Sequence, residues 1–212
     1  MSELYLSPAT ALAKRSLDVA GALAGLAVSA PLFPLIAAAI RLESPGPIFY
    51  RQRRVGRILP DRTELFEMVK FRSMRQDAEA ASGPVWAGED DPRITRVGRF
   101  LRKTRLDELP QFLNVLRGEM SLIGPRPERP SFYPRLEDAI PYYRQRTYGL
   151  RPGITGLAQV SQGYDESIED VRSKVMFDHA YAARLMRFSD WLRADLAIAG
   201  RTLSIMALGR GR

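Results

Sequence analysis

The sequence predicts an α+β protein, mainly helical. A broken N-terminal helix enters a membrane and returns, and a cytoplasmic globular domain with short strands and amphipathic interfacial helices follows. Three observations predict this. Residues 19–40 form an uncharged run of 22, 17 of them Ala, Val, Leu, Ile or Phe, interrupted by Pro31 and Pro34. Cations flank the run on both sides. Beyond it, residues 94–105, 167–185 and 188–208 carry helical periodicity, while 48–50 and 65–71 read as short strands.

As a straight helix the apolar run would reach about 33 Å, enough to span a bilayer. A cleaved signal peptide would use Lys14 and Arg15 as its n-region, but the run is long and basic sequence follows it. Pro31 and Pro34 each remove an amide donor and clash with the preceding turn, so a helix must bend or break near Ala30. Lys14 and Arg15 lie at one end, and Arg41, Arg51, Arg53, Arg54 and Arg57 follow the other. By the positive-inside rule both ends prefer the cytoplasm, which favours a re-entrant form over a spanning helix or a buried core helix. The chain then divides into a membrane segment, 1–44, and a cytoplasmic domain, 45–212.

After the turn Ser44-Pro45-Gly46-Pro47, Ile48-Phe49-Tyr50 reads as a strand with 65–71 as its partner, across a polar loop holding Gly56, Pro60 and Asp61. Residues 75–92 are polar and punctuated by Gly and Pro, a surface loop. Arg93, Arg96, Arg99 and Arg102 recur every three residues along the next helix, opposite Ile94, Val97, Phe100 and Leu101. A second helix begins at Asp107-Glu108-Leu109-Pro110 and ends near Gly118. Gly124-Pro125-Arg126-Pro127 and Arg151-Pro152-Gly153-Ile154-Thr155-Gly156 are rigid loops, and helices over 167–185 and 188–208 close the chain. No internal repeat or dividing linker is visible.

Composition restricts the chemistry. The chain has 212 residues, 26% charged and 45% hydrophobic, which excludes a disordered chain and a polytopic membrane protein. There is no Cys and one His, so disulfides, thiol nucleophiles, Cys or multi-His zinc sites, and any Ser–His relay not running through His179 are excluded. His179 has no partner in the sequence and is read as structural. The net charge of +8 calls for an anionic partner: nucleic acid, anionic lipid or a phosphorylated substrate.

Asp107 and Glu108 are the candidate chemical groups. Carboxylates in a first helical turn offset the macrodipole and need no other purpose. Here, however, Arg102, Lys103 and Arg105 lie within five residues of Asp107. Phosphate-handling sites need that mixture: cations hold phosphoryl oxygens, and a carboxylate ligates Mg²⁺ or attacks phosphorus. Adjacent helical residues point about 100° apart, so the two acids need not share a role. Arg102, nearest the carboxylates, should face the site. The rest of the stripe suits solvent or lipid headgroups, at about 1 kcal/mol per cation near an anionic surface. Arg126 is fixed between two prolines, which suits a bidentate anion contact or a plain rigid turn. Lys70 and Arg72 would share one face of a strand.

Taken in order, the broken helix, Ser44-Pro45-Gly46-Pro47-Ile48-Phe49, Lys70-Phe71-Arg72-Ser73-Met74, Leu106-Asp107-Glu108-Leu109-Pro110-Gln111, Gly124-Pro125-Arg126-Pro127 and Arg151-Pro152-Gly153-Ile154-Thr155-Gly156 carry a resemblance. The chain resembles the monotopic phosphoglycosyl transferases, the bacterial sugar transferases acting on polyprenol phosphate, over residues 14–207. The resemblance implies transfer of a sugar phosphate from a UDP-sugar to undecaprenyl phosphate, with release of UMP. It further implies Mg²⁺ and a covalent enzyme–phosphosugar, with Asp107 as nucleophile and metal ligand and Glu108 in support. Arg102 and Arg126 would meet the substrate phosphates or nucleotide. Lys70 and Arg72 match the family's Lys-Phe-Arg motif. Pro125, Arg151 and Asp178 complete the substrate-binding set, Asp178 with Tyr181 matching an Asp-x-x-Tyr element that braces the site. The implied location is the cytoplasmic face of the bacterial inner membrane, against anionic lipids.

The chain also departs from the pattern. Ala30, not Ser, precedes Pro31; the connection 56–66 looks long; and Ser161-Gln162-Gly163-Tyr164 stands where many members read Asn-Gly-Arg after the Gln. The Gly-Tyr variant with Glu169-Asp170 resembles an exopolysaccharide branch. Two rival classes are weaker. A nucleic-acid-binding protein has no use for the apolar run, and a membrane scaffold would lose nothing on Asp107→Asn.

Overall fold

The apolar run folds as two helices, α1 (Pro8–Ser29) and α2 (Leu32–Glu43), bent by 63° at their junction. The computed structural model describes residues 6–80, 83–86, 88, 91–162 and 167–208. Pro31 makes the break: it has no amide to continue the α1 ladder. Ser29, one place early, donates its hydroxyl back to the Gly25 carbonyl at 2.6 Å, a bond that favours bending. Pro34 was expected to share in the break. It instead occupies the first turn of α2, where amides have no intrahelical acceptor anyway. Among the described residues no single helix is long and apolar enough to cross a membrane, whereas the bent pair passes by length and composition.

One side of α1 belongs to the protein core. Ala22 is fully enclosed, and Gly21 and Gly25 let Leu122 and Phe112 approach the helix closely. The other side leaves Leu12, Leu17, Leu23 and Val28 exposed, as α2 leaves Leu35 and Leu42. Lys14 and Arg15, expected as interfacial flanks, turn inward instead. Lys14 pairs with Asp195 at 2.8 Å, and Arg15 donates to the carbonyls of Val115 and Leu116.

Strands β1 (Phe49–Ile58) and β2 (Thr63–Phe71) form an antiparallel hairpin with Phe49 opposite Phe71 and Tyr50 opposite Lys70. The predicted pairing is correct, but β1 runs to Ile58, through Gly56, and the loop is shorter than expected. Helix α3 (Arg96–Thr104), capped by Thr95, is followed by a 3₁₀ turn (Leu106–Gln111) and then α4 (Phe112–Arg117). Gly118, at φ 81°, ends α4 as foreseen. The expected second helix is therefore half 3₁₀. The expected apolar face of α3 also divides: Val97 and Leu101 pack with Ile36, Ile40 and Phe71, while Phe100 is 59% exposed.

The two rigid loops meet each other. Strands β3 (Ser121–Ile123) and β4 (Gly153–Thr155) pair in parallel, and beyond them Gly153 N–H donates to the Pro125 carbonyl. A Cβ on Gly153 would lie 2.1 Å from the Gly124 nitrogen, so glycine is required for the close approach. Helices α5 (Tyr133–Ala139) and α6 (Leu157–Ser161) are short and were not foreseen. Helix α7 (Ile168–Arg184) opens with a Ser167–Asp170 capping box. Helix α8 (Phe188–Ala207) buries Trp191, Ala194 and Ile198 and exposes Leu196 and Leu203. Asp195 on α8 joins three elements, accepting from Lys14 of α1, Tyr181 of α7 and Trp191.

The packing of α3 gives a direct test. A Cβ at Gly98 would lie 1.9 Å from the Ser73 carbonyl oxygen, whereas Gly200 faces open space on α8. In denaturant titrations Gly98→Ala should lose ~1–3 kcal/mol through overpacking. Gly200→Ala should gain ~0.5–1 kcal/mol from helix propensity.

Candidate active site

Arg105, in the left-handed conformation at φ 57°, ends α3 and turns the chain into the 3₁₀ segment that carries Asp107 and Glu108. Both carboxylates are enclosed, at 7% and 8% exposure, and both line a cavity of about 450 Å³. That volume lies within the range of small-molecule sites. The β-hairpin forms one wall. Inward positions of β1 supply Tyr50, Gln52 and Arg54, while Arg51 and Arg53 face solvent. The far wall is the edge-to-face pair Trp86–Phe132, beside the ion pair Arg129–Glu79 at 2.6 Å.

The two acids sit in unequal environments. Glu108 Oε1 accepts from Lys70 Nζ at 2.8 Å and from the Arg126 guanidinium at 3.3 and 3.4 Å. Burial alone would raise its pKa, but Lys70 and Arg126 overcome that and hold it well below the usual carboxylate range. Asp107 accepts no hydrogen bond among the described residues. Burial pushes it up to about 6, with Lys70 opposing and the Glu108 charge adding to the rise. Lys70 is itself lowered by burial, against the pull of Glu108. One acid is thus held ionised by its cations, while the other lines the cavity with no hydrogen bond among the described residues.

Among the described residues no group of three His, Cys, Asp or Glu forms a metal cage. The donor set still fits Mg²⁺, which is commonly held by one or two carboxylates together with substrate phosphates. Asp107 offers the hydrogen-bond-free carboxylate, with Lys70, Arg102 and Arg126 nearby to receive phosphate oxygens.

The sequence-derived set separates into two groups. Lys70, Arg72, Arg102, Asp107, Glu108 and Arg126 all line the cavity. Arg72 does so while its guanidinium donates to the Ser44 and Pro45 carbonyls at 2.7 Å, which ties the exit of α2 to the end of β2. The Arg stripe also divides, with Arg93 and Arg102 on the cavity and Arg96 and Arg99 outward. Pro125, Arg151 and Asp178 lie off the cavity wall. The Pro125 carbonyl pairs with Gly153, and Arg151 Nε donates to the Gly118 carbonyl at 2.8 Å.

Asp178 acts at one remove. It pairs with buried Arg146 at 2.8 Å, and Arg146 donates to the Arg126 carbonyl at 3.1 Å and to the Tyr143 hydroxyl. Tyr181 reaches the Ile123 carbonyl at 3.3 Å, so the Asp-x-x-Tyr pair holds both ends of the 123–126 segment. Sequence reasoning missed Arg146, whose contacts with Arg126 and Asp178 span 20 and 32 residues. It also missed Asp18, which accepts from Ser121 Oγ and Leu122 N–H, and Glu43, which caps α3 at the Arg96 and Val97 amides. The departure at Gly163 and Tyr164 lies outside the described residues.

The sequence profile described as Bacterial sugar transferase matches residues 9–209. The chain belongs to this family. Bacterial sugar transferases similar to it include the UDP-N-acetylgalactosamine-undecaprenyl-phosphate N-acetylgalactosaminephosphotransferase of Aeromonas hydrophila, 43% identical over 211 residues. That match takes in all of this chain and 47% of the relative, so the chain spans about half of that protein's length. The UDP-glucose:undecaprenyl-phosphate glucose-1-phosphate transferase of Caulobacter vibrioides is 44% identical over 91% of this chain and 68% of its own. The exopolysaccharide production protein PSS of Rhizobium leguminosarum bv. phaseoli is 37% identical over 93% of this chain and 97% of its own.

The bracing of Arg126 can be tested apart from turnover. Arg146→Ala leaves Asp178 buried without this counter-charge and should cost ~3–5 kcal/mol in denaturant titration. Removing both partners together, as Arg146→Met with Asp178→Leu, should cost clearly less, because no buried charge is then stranded.

Proposed function

We propose that this bacterial sugar transferase moves a sugar 1-phosphate from a UDP-sugar to undecaprenyl phosphate and releases UMP. The observation that carries the reading is the inequality of the acid pair. Glu108 is held ionised by Lys70 and Arg126, while Asp107 keeps its lone pairs for phosphorus at the wall of a cation-lined cavity.

The residues suit a double displacement. An Asp107 carboxylate oxygen attacks the phosphorus that bears the sugar. The bond from that phosphorus to the bridging oxygen breaks, and UMP leaves with the electron pair. A phosphate oxygen of undecaprenyl phosphate then attacks the same phosphorus, the bond to Asp107 breaks, and the carboxylate is regenerated. Lys70, Arg102 and Arg126 neutralise the non-bridging oxygens in both steps, in a partly enclosed site where such contacts are stronger than in water. Asp107 would hold Mg²⁺ at this site, and the ion would supply further charge neutralisation on the leaving phosphate. The bent α1–α2 pair and the exposed leucines of α1, α2 and α8 support a monotopic, re-entrant placement on the cytoplasmic face, where the acceptor phosphate lies.

Two relatives, 43% and 44% identical, carry names with different sugars, so a panel of donors is needed. Protein in nanodiscs with Mg²⁺ and undecaprenyl phosphate should release UMP from one member of a UDP-sugar panel. Asp107→Asn should lower the rate by about 10³-fold or more, as expected for loss of a nucleophile. Repeated turnover without lipid, beyond one UMP per protein, or release retained in that variant would overturn the reading.

The pH dependence has a definite sign. The reactive form of Asp107 is the carboxylate, and burial raises its pKa to about 6. The rate should therefore fall as pH drops through that value. Metal and proton compete for one carboxylate, so the apparent Mg²⁺ requirement should rise about tenfold per pH unit on the acid side. Titrating Mg²⁺ at several pH values checks both.

A further inference from the structure

Asn114 lies on α4, six residues after Glu108, and is fully buried. Its Oδ1 accepts from the Val69 N–H at 3.1 Å, and its Nδ2 donates to the Glu67 carbonyl at 2.8 Å and to Glu119 Oε2 at 2.7 Å. Val69 and Glu67 stand opposite Arg51 and Arg53 and share one parity along β2. The amide of one and the carbonyl of the other both point away from β1, along the outer edge of the hairpin. The Asn114 amide supplies one acceptor and one donor to that edge, as a neighbouring strand would. Its remaining N–H is taken by Glu119.

The location matters because of what flanks each end of this clamp. Val69 immediately precedes Lys70, whose ammonium meets Glu108, and α4 continues directly from the turn that carries Asp107 and Glu108. The hairpin and the acid pair are thus joined twice, once by the ion pair at the cavity and once by the amide behind it. Packing of Val115 and Met120 against Phe66 and Met68 presses the same elements together, but it is non-directional and sets no register.

We propose that Asn114 is a positioning residue, its amide fixing β2 against α4 so that Lys70 is held at the Asp107–Glu108 pair. The catalytic consequence rests on the transfer reading above; the clamp itself does not. Misplacement of catalytic groups by about 1 Å costs about 100-fold in rate, so loss of this amide should appear in kcat more than in donor KM.

The test uses the full chain in nanodiscs and two readouts: UMP release, and amide exchange of peptides covering residues 63–71. Asn114→Ala should lower kcat by about 100-fold with donor KM within about threefold, and β2 should exchange faster. Val115→Ala, a core truncation on the same helix, should lose comparable thermal stability with kcat within about threefold. Asn114→Asp sets a carboxylate oxygen against both the Glu67 carbonyl and Glu119 and should be as poor as the Ala variant. Three results would each overturn the proposal: kcat of Asn114→Ala near wild type, loss of kcat in Val115→Ala in proportion to lost stability, or unchanged exchange in β2. If wild-type protein releases UMP from no donor, the transfer reading fails instead, and the exchange measurement alone decides whether the clamp exists.

Discussion

Glu108 lies between Lys70 and Arg126, and that contact organises the rest of the molecule. A carboxylate so enclosed is destabilising unless its charge is met, and two cations from different parts of the chain meet it. Lys70 comes from the hairpin and Arg126 from the loop after β3, so satisfying Glu108 closes the cavity. Asp107, its neighbour in the chain, is then left as the acid without a hydrogen bond among the described residues. The asymmetry follows from sequence adjacency: two neighbours in a 3₁₀ turn point in different directions and reach different surroundings.

The supports behind this contact are buried or half-buried polar groups that bind mainly backbone. Arg146 holds the Arg126 carbonyl, and Asp18 on α1 holds Ser121 and Leu122 at the start of the same segment. Glu43 at the end of α2 caps α3, and Arg72 ties the carbonyls of Ser44 and Pro45 to the end of β2. The bent N-terminal pair is therefore part of the site's foundation as well as the exposed apolar surface. Its cations reflect this: Lys14 and Arg15 are held inside by Asp195 and by the last carbonyls of α4.

Local signals carried much of this architecture. Pro31 marked the break, Gly118 the end of α4, Ser167 the start of α7, and apolar periods located α7 and α8. Where the sequence misled, the cause was a polar interior. The inward positions of β1 are Tyr50, Gln52 and Arg54, which line a cavity, so the alternation that marks a half-buried strand is written in polar residues and escapes an apolar count. The parallel β3–β4 pair is three residues on each strand and depends on Gly124 and Gly153 meeting across 29 positions of chain. The six cavity-lining residues were legible because their types suit phosphate chemistry at close sequence spacing or within ordered motifs. Arg146, Asn114 and Asp18 were not, because each acts through backbone atoms 20 to 104 residues away, and no local pattern encodes such a partner.

Under the proposed transfer the two neighbouring acids are not equivalent, and Asp107 alone forms a bond to phosphorus. Mass spectrometry of the intact protein after mixing with Mg²⁺ and whichever UDP-sugar supports UMP release, in the absence of acceptor and followed by peptide mapping, tests this. One added sugar phosphate is expected, carried on Asp107 and discharged when undecaprenyl phosphate is supplied. An adduct on Glu108, or steady UMP release in the presence of acceptor with no adduct at any time, would contradict it.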